Sequence, residues 1–90
     1  MAEIKITPEE LDRIAGNFTN AAGEAQQQIT RLGNDIDTLN GQWSGSTQAK
    51  FNANFNEAKQ EMSKYIPILQ HISDELKKIA TNFRNVDNSY

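Results

Sequence analysis

Apolar residues recur every three or four positions along most of this chain and are interrupted only once, a pattern that few folds can accommodate. Leu11, Ile14, Phe18, Ala22, Ala25, Ile29, Leu32, Ile36 and Leu39 form one series. Phe51, Phe55, Ala58, Met62, Tyr65, Leu69, Ile72, Leu76, Ile79, Phe83 and Val86 form the second. Steps of this size put each series on one stripe of an α-helix, and the unbroken heptads of the second are those of helices packed in coiled-coil fashion. Between them, Asn40-Gly41-Gln42-Trp43-Ser44-Gly45-Ser46 concentrates turn formers. The expected fold class is all-α, a helix-turn-helix hairpin of two long antiparallel helices. It forms a single domain over residues 1–90, with helix 1 over about 8–40, the bend over 41–46 and helix 2 over about 47–87. A short connection between long helices makes them antiparallel neighbours.

The ends of these helices carry their own signals. Thr7-Pro8-Glu9-Glu10 reads as a capping box: the Thr7 hydroxyl accepts from an orphan backbone N–H and Glu10 reaches back to the Thr7 N–H. Pro8 at the first helical position costs nothing, and Ile6 and Leu11 have the spacing of a hydrophobic staple. Gly41 suits the left-handed residue that often ends a helix, and Ser44 or Ser46 can cap the next one. Pro67 interrupts helix 2 chemically but not in heptad phase, so a kinked, continuous helix is expected. Glu9/Arg13, Glu61/Lys64 and Asp74/Lys78 stand at helical pairing distances on the solvated side.

Composition narrows the function classes. A chain of 90 residues with no cysteine cannot staple itself with disulfides, and it offers no Cys/His cluster for a structural metal. Long helix packing and oligomerisation remain. A net charge of −3 without a basic stripe argues against nucleic acid and against anionic membrane surfaces. No run of apolar residues is long enough for a spanning helix, so no stable membrane insertion is expected. Met1-Ala2-Glu3-Ile4-Lys5-Ile6 lacks the charged and apolar regions of a signal peptide.

A lone hairpin has little interior, which points to a dimer. Helix 1 is rich in small residues, and two interior glycines, Gly16 and Gly23, each cost ~1 kcal/mol relative to alanine. Close approach of another backbone would compensate. Ala15, Gly16, Phe18, Ala22, Gly23 and Ala25 are therefore the candidate dimer interface, the alternative being weak positions tolerated on a solvated face.

Trp43-Ser44-Gly45 is a Trp-x-Gly tripeptide at the middle of the chain, in the bend between two heptad-bearing helices. Together with the length, the absent cysteines and the Pro-Glu-Glu helix start, it makes the chain resemble the WXG100 family of ESAT-6-like, virulence-associated secreted proteins. The resemblance implies a hairpin that dimerises into an antiparallel four-helix bundle, with itself as a homodimer or with a related WXG100 protein. It also implies export by the ATPase of a type VII (ESX-like) secretion system without a cleaved signal peptide. The chain would then be made in the cytoplasm and act outside the cell as substrate, co-factor or effector escort. The family's tail signal is Tyr-x-x-x-Asp/Glu. Phe83-Arg84-Asn85-Val86-Asp87 keeps its spacing with Phe in place of Tyr, so Phe83 and Asp87 are its candidate counterparts. The bland alternative is a core residue followed by a solvated acid.

Trp43 and Gly45 have a physical role in either case: the indole can cover the end of the bundle, and glycine permits backbone geometry that a side chain blocks. No enzyme is expected, because a narrow hairpin offers no concave water-excluding site, and no cofactor or metal is implied. His71 is the only histidine and is expected to be solvated. The competing function is an intracellular dimeric coiled-coil adaptor, and the Trp-x-Gly bend tips the reading away from it.

Overall fold

A computed structural model of the chain describes residues 6–89, with side chains described through Asn85. Two helices account for it: α1 spans Pro8–Asn40, 33 residues, and α2 spans Ser46–Ser89, 44 residues. They form an antiparallel hairpin 69 Å long and 19 × 18 Å across. No strand occurs among the described residues.

The α1 start follows its sequence only in part. Thr7 caps it, and its hydroxyl accepts from the Glu10 N–H at 3.1 Å. The reciprocal half of the capping box is absent. Arg13 binds the Glu10 carboxylate with two bonds of 2.7 and 3.0 Å, and the stronger charge-assisted contact holds it there. Arg13 thus pairs with Glu10 rather than Glu9, while Glu61 and Lys64 pair at 3.1 Å. Asp74 accepts from Gln70 at 3.1 Å.

The turn reverses the roles of its glycines. Gly41 is right-handed at φ −72°, and its N–H is shared between the Asp37 and Thr38 carbonyls as the last turn tightens. The left-handed residue is Gly45, at φ +107°. The Gly45 carbonyl accepts the first bond of α2, from the Ala49 N–H at 3.1 Å, so the cap falls on this glycine and on neither flanking serine. α2 runs on through Pro67 without interruption.

The seam between the helices is narrower than the apolar stripes. On α1 it buries Leu11, Ala15, Ala22 and Ile29. On α2 it buries Leu69, Ser73 and Ala80, with Ile66, Leu76 and Phe83 half-buried along the same line. The expected line through Phe51, Tyr65, Ile72 and Ile79 lies outside the seam, and these side chains are 36–56% exposed. Val86, the last residue of that line, lies outside the described side chains. Small residues explain the phase. Ala15, Ala22, Ser73 and Ala80 let the helices approach closely, and the Ser73 hydroxyl donates to the Ala15 carbonyl at 2.8 Å and meets the Thr19 hydroxyl at 2.7 Å.

Candidate functional site

The hairpin has two unlike faces, set by which heptad line each helix turns outward. On α1, Phe18, Ala25, Leu32 and Leu39 follow one another at seven-residue steps, and Leu32 and Leu39 are 44% and 38% exposed. Ala25 and Leu32 share an apolar hollow with Met62 and Tyr65 of α2, which places Tyr65 on the same face. Phe51, Ala58, Ile72 and Ile79 continue that line at heptad steps from Tyr65. The opposite face is amide-rich, with Gln26, Thr30 and Asp37 of α1 standing across from Asn52, Asn56 and Lys59 of α2. Ile29, 5% exposed, floors both hollows from the seam between them.

This division sorts the small residues of α1. Ala15 and Ala22 are buried between the two helices, at 0% and 6% exposure, so the hairpin's own seam already occupies them. Gly16 and Gly23 continue at seven-residue steps into Thr30 and Asp37 and so belong to the amide-rich side. Each stands two positions from Phe18 or Ala25, nearly opposite on a helix of ~3.6 residues per turn. Nothing lies within 4 Å of a Cβ placed at either glycine. Only Phe18 and Ala25 of the six small-stripe candidates lie on the apolar face.

At the closed end, Trp43 is half-buried and its indole N–H donates to the Asn40 side-chain oxygen at 3.1 Å. The ring meets Phe51 edge-on at 5.8 Å, and Phe51 stacks on Phe55 at 6.4 Å. The Gln48 amide reaches back to the Asn40 carbonyl at 3.5 Å. Trp43 is thus held by one polar and one aromatic contact while part of its ring stays open to solvent.

At the open end, Arg84 donates to Asp12 at 2.6 Å and to Glu9 at 3.5 Å, tying the last turns of α2 to the first turn of α1. The hydrogen bond that Arg84 donates to Asp12 raises the Arg84 pKa above its ordinary value, with Coulombic attraction from Asp12 and Glu9 adding to it. Phe83 is half-buried beside this contact, and the side chain of Asp87 lies outside the described residues. Arg84 and Ser73 carry no sequence signal, since their partners are 72 and 58 residues away. Ile68, 54% exposed beside Pro67, has one: it is an apolar residue off both lines.

Among the described residues no cluster of His, Cys, Asp and Glu could hold a metal, and no helix is long and apolar enough to cross a membrane. The His71 side chain is 74% exposed, 3.9 Å from Glu75.

Residues 3–88 match the family model described as proteins of 100 residues with WXG. An ESAT-6-like protein of Streptococcus agalactiae is 31% identical over 97% of this chain and 91% of its own length. The crystal structure of the secreted protein EsxB of Bacillus anthracis is 68% identical, with a TM-score of 0.88 over 94% of this chain and 99% of that one. EsxA of Geobacillus thermodenitrificans, at 26% identity, superposes with a TM-score of 0.86 over 97% of this chain and 95% of that one.

Proposed function

This chain belongs to the WXG100 family, and on that footing we propose that it is exported by a type VII (ESX-like) secretion system as a dimeric hairpin, without a cleaved signal peptide. Outside the cell it acts by interaction rather than catalysis, as a substrate, co-factor or effector escort. The observation that carries this reading is that Trp43-Ser44-Gly45 forms the bend of a hairpin whose one face remains apolar. The secreted EsxB of Bacillus anthracis shares that fold at 68% identity.

The exposed line supports dimerisation. Leu32, Leu39, Phe51, Tyr65, Ile72 and Ile79 are large apolar side chains left open on one face, more than scattered surface residues account for. The line from Phe51 to Ile79 covers about 42 Å of a molecule 69 Å long, at ~1.5 Å per residue, so a partner laid along it would meet more than half of the hairpin's length. A second hairpin laid on it, a copy of this chain or a related WXG100 protein, completes a four-helix bundle. Phe18 and Ala25 fall inside that interface.

The secretion ATPase is the second partner. Trp43 and Gly45 present the bend to it, and Phe83 and Asp87 on the last turns of α2 supply the tail element. The test is export in the organism that encodes the chain, by intact mass of the protein in the culture medium with and without the secretion ATPase. Full-length protein in the medium that disappears when the ATPase is removed, and that is lost in Trp43→Ala with normal cellular levels, supports the reading. Protein confined to the cells in both strains overturns it in favour of an intracellular adaptor.

A further inference from the structure

The seam of the hairpin is built differently on the two sides of Pro67. Every buried α2 position among the described residues, Leu69, Ser73 and Ala80, follows the proline. Before it the same heptad line passes through Gln48, Asn52 and Lys59, and no α2 residue there is buried. Lys59 faces a glycine: a Cβ placed at Gly33 would stand 3.9 Å from its ammonium nitrogen, so neither residue of this pair supplies an apolar side chain. On α1, Ile29 alone is buried toward the bend, and open hollows of about 440 and 230 Å³ flank it. The two covered polar groups of the seam differ in the same way. The Ser73 hydroxyl has both the Ala15 carbonyl and the Thr19 hydroxyl as partners, whereas the Asn52 side-chain oxygen is covered and has none.

We propose that the hairpin consists of two cooperative units that meet at Pro67, and that the bend half, α1 over about 26–40 with α2 over 46–66, opens by itself while the half beyond Pro67 stays closed. The free energy of a local opening follows the covered apolar contacts and satisfied hydrogen bonds that it gives up. Opening the bend half uncovers one buried apolar side chain, Ile29, and returns the unpartnered Asn52 oxygen to water, which is a gain. Opening the other half uncovers Leu11, Ala15, Ala22, Leu69 and Ala80 and strips Ser73 of both partners. Pro67 sets the boundary. It has no N–H, so the Ser63 carbonyl four residues back receives no helical bond from it, and α2 can part from α1 up to this point without breaking a bond there. Trp43 and Gly45 ride on the opening half, so the bend can be presented without dissolving the fold. The division rests on the hairpin's own seam and not on the dimeric reading above.

The test is hydrogen exchange of the full chain, resolved along the sequence by mass spectrometry under conditions where exchange reports the opening equilibrium, with light scattering on the same samples to record the association state. Protection over 30–40 and 46–62 is expected to be at least tenfold lower than over 11–22 and 69–80. Asn52→Leu/Lys59→Leu, which completes the apolar line before the proline, is expected to raise protection in the bend half tenfold or more and to change the other half little. Pro67→Ala is expected to narrow the gap by joining the units. Equal protection on both sides of Pro67 in the wild type overturns the proposal, as does a gap that Asn52→Leu/Lys59→Leu leaves unchanged. Ile72→Asp/Ile79→Asp separates it from the question of the dimer: a gap that persists in this variant supports an origin in the seam, and a gap that vanishes with the association state overturns that origin.

Discussion

The Ser73 hydroxyl of α2 donates to the backbone carbonyl of Ala15 on α1 at 2.8 Å, and the Thr19 hydroxyl lies 2.7 Å from the Ser73 hydroxyl oxygen. Ser73 is fully buried, so this is a polar contact placed inside the seam rather than at its edge. Such a contact fixes how far along α1 the second helix sits, since sliding α2 by one turn would leave a buried hydroxyl unpaired. Ser73→Ala is expected to destabilise the hairpin by about 1 kcal/mol in a denaturant titration. Ser73→Leu is expected to cost about 1–3 kcal/mol, because it forces the helices apart at a contact built from small residues.

The two bend glycines are expected to respond in opposite ways. Gly45 sits at φ +107°, where an L-side chain is strained, so Gly45→Ala is expected to lose about 1–2 kcal/mol in thermal or chemical denaturation. At Gly41, φ is −72° and an added Cβ would approach the Thr38 carbonyl at an ordinary 3.4 Å. Gly41→Ala is therefore expected to be neutral or to gain up to about 1 kcal/mol by restricting the unfolded chain.

Arg84 closes the open end through side chains that remain partly solvated, 42% exposed on both Arg84 and Asp12. Exposed pairs of this kind contribute about 0–1 kcal/mol and are screened by salt. Arg84→Ala should leave the global unfolding midpoint nearly unchanged. Its effect belongs in hydrogen exchange, where faster exchange is expected in the last turns of α2 and the first turn of α1 at low salt, with the difference shrinking in molar salt.

Glu10 is held below its ordinary carboxylate pKa of 4.5, first by its hydrogen bond from Arg13 and then by the charge of that guanidinium. A carboxylate lowered in the folded state contributes fully above its unfolded value, and the contribution is lost as the pH falls through the lower folded value. Wild type is therefore expected to be more stable than Glu10→Gln above about pH 4.5, with the difference closing on acidification. Paired denaturation curves across that range measure it.

Both helices and the position of the bend can be read from the sequence, because long runs at three- and four-residue steps admit one local structure and Thr7-Pro8 starts it unambiguously. Which stripe faces inward cannot be read the same way. On α2, Leu69 serves the hairpin, while Ile72 and Ile79, equally apolar and one step round the helix, remain open. Periodicity reports that a residue prefers burial but not whether its own chain or another provides the cover. The fully buried positions are instead Ala15, Ser73 and Ala80, residues with weak or no hydrophobic signal. The interior glycines make a related point: Gly16 and Gly23 stand out in composition, while the phase of α1 turns them toward the amide-rich side.

The most direct measurement is the mass of the wild-type chain in solution by light scattering over a dilution series, alongside Ile72→Asp/Ile79→Asp, with circular dichroism on every sample. A strongly helical wild-type species of about twice the 10.1 kDa chain mass, reduced to one chain by the double substitution, is the result expected if the open apolar face is the docking surface. A wild-type chain that remains a fully helical monomer at every concentration would contradict it.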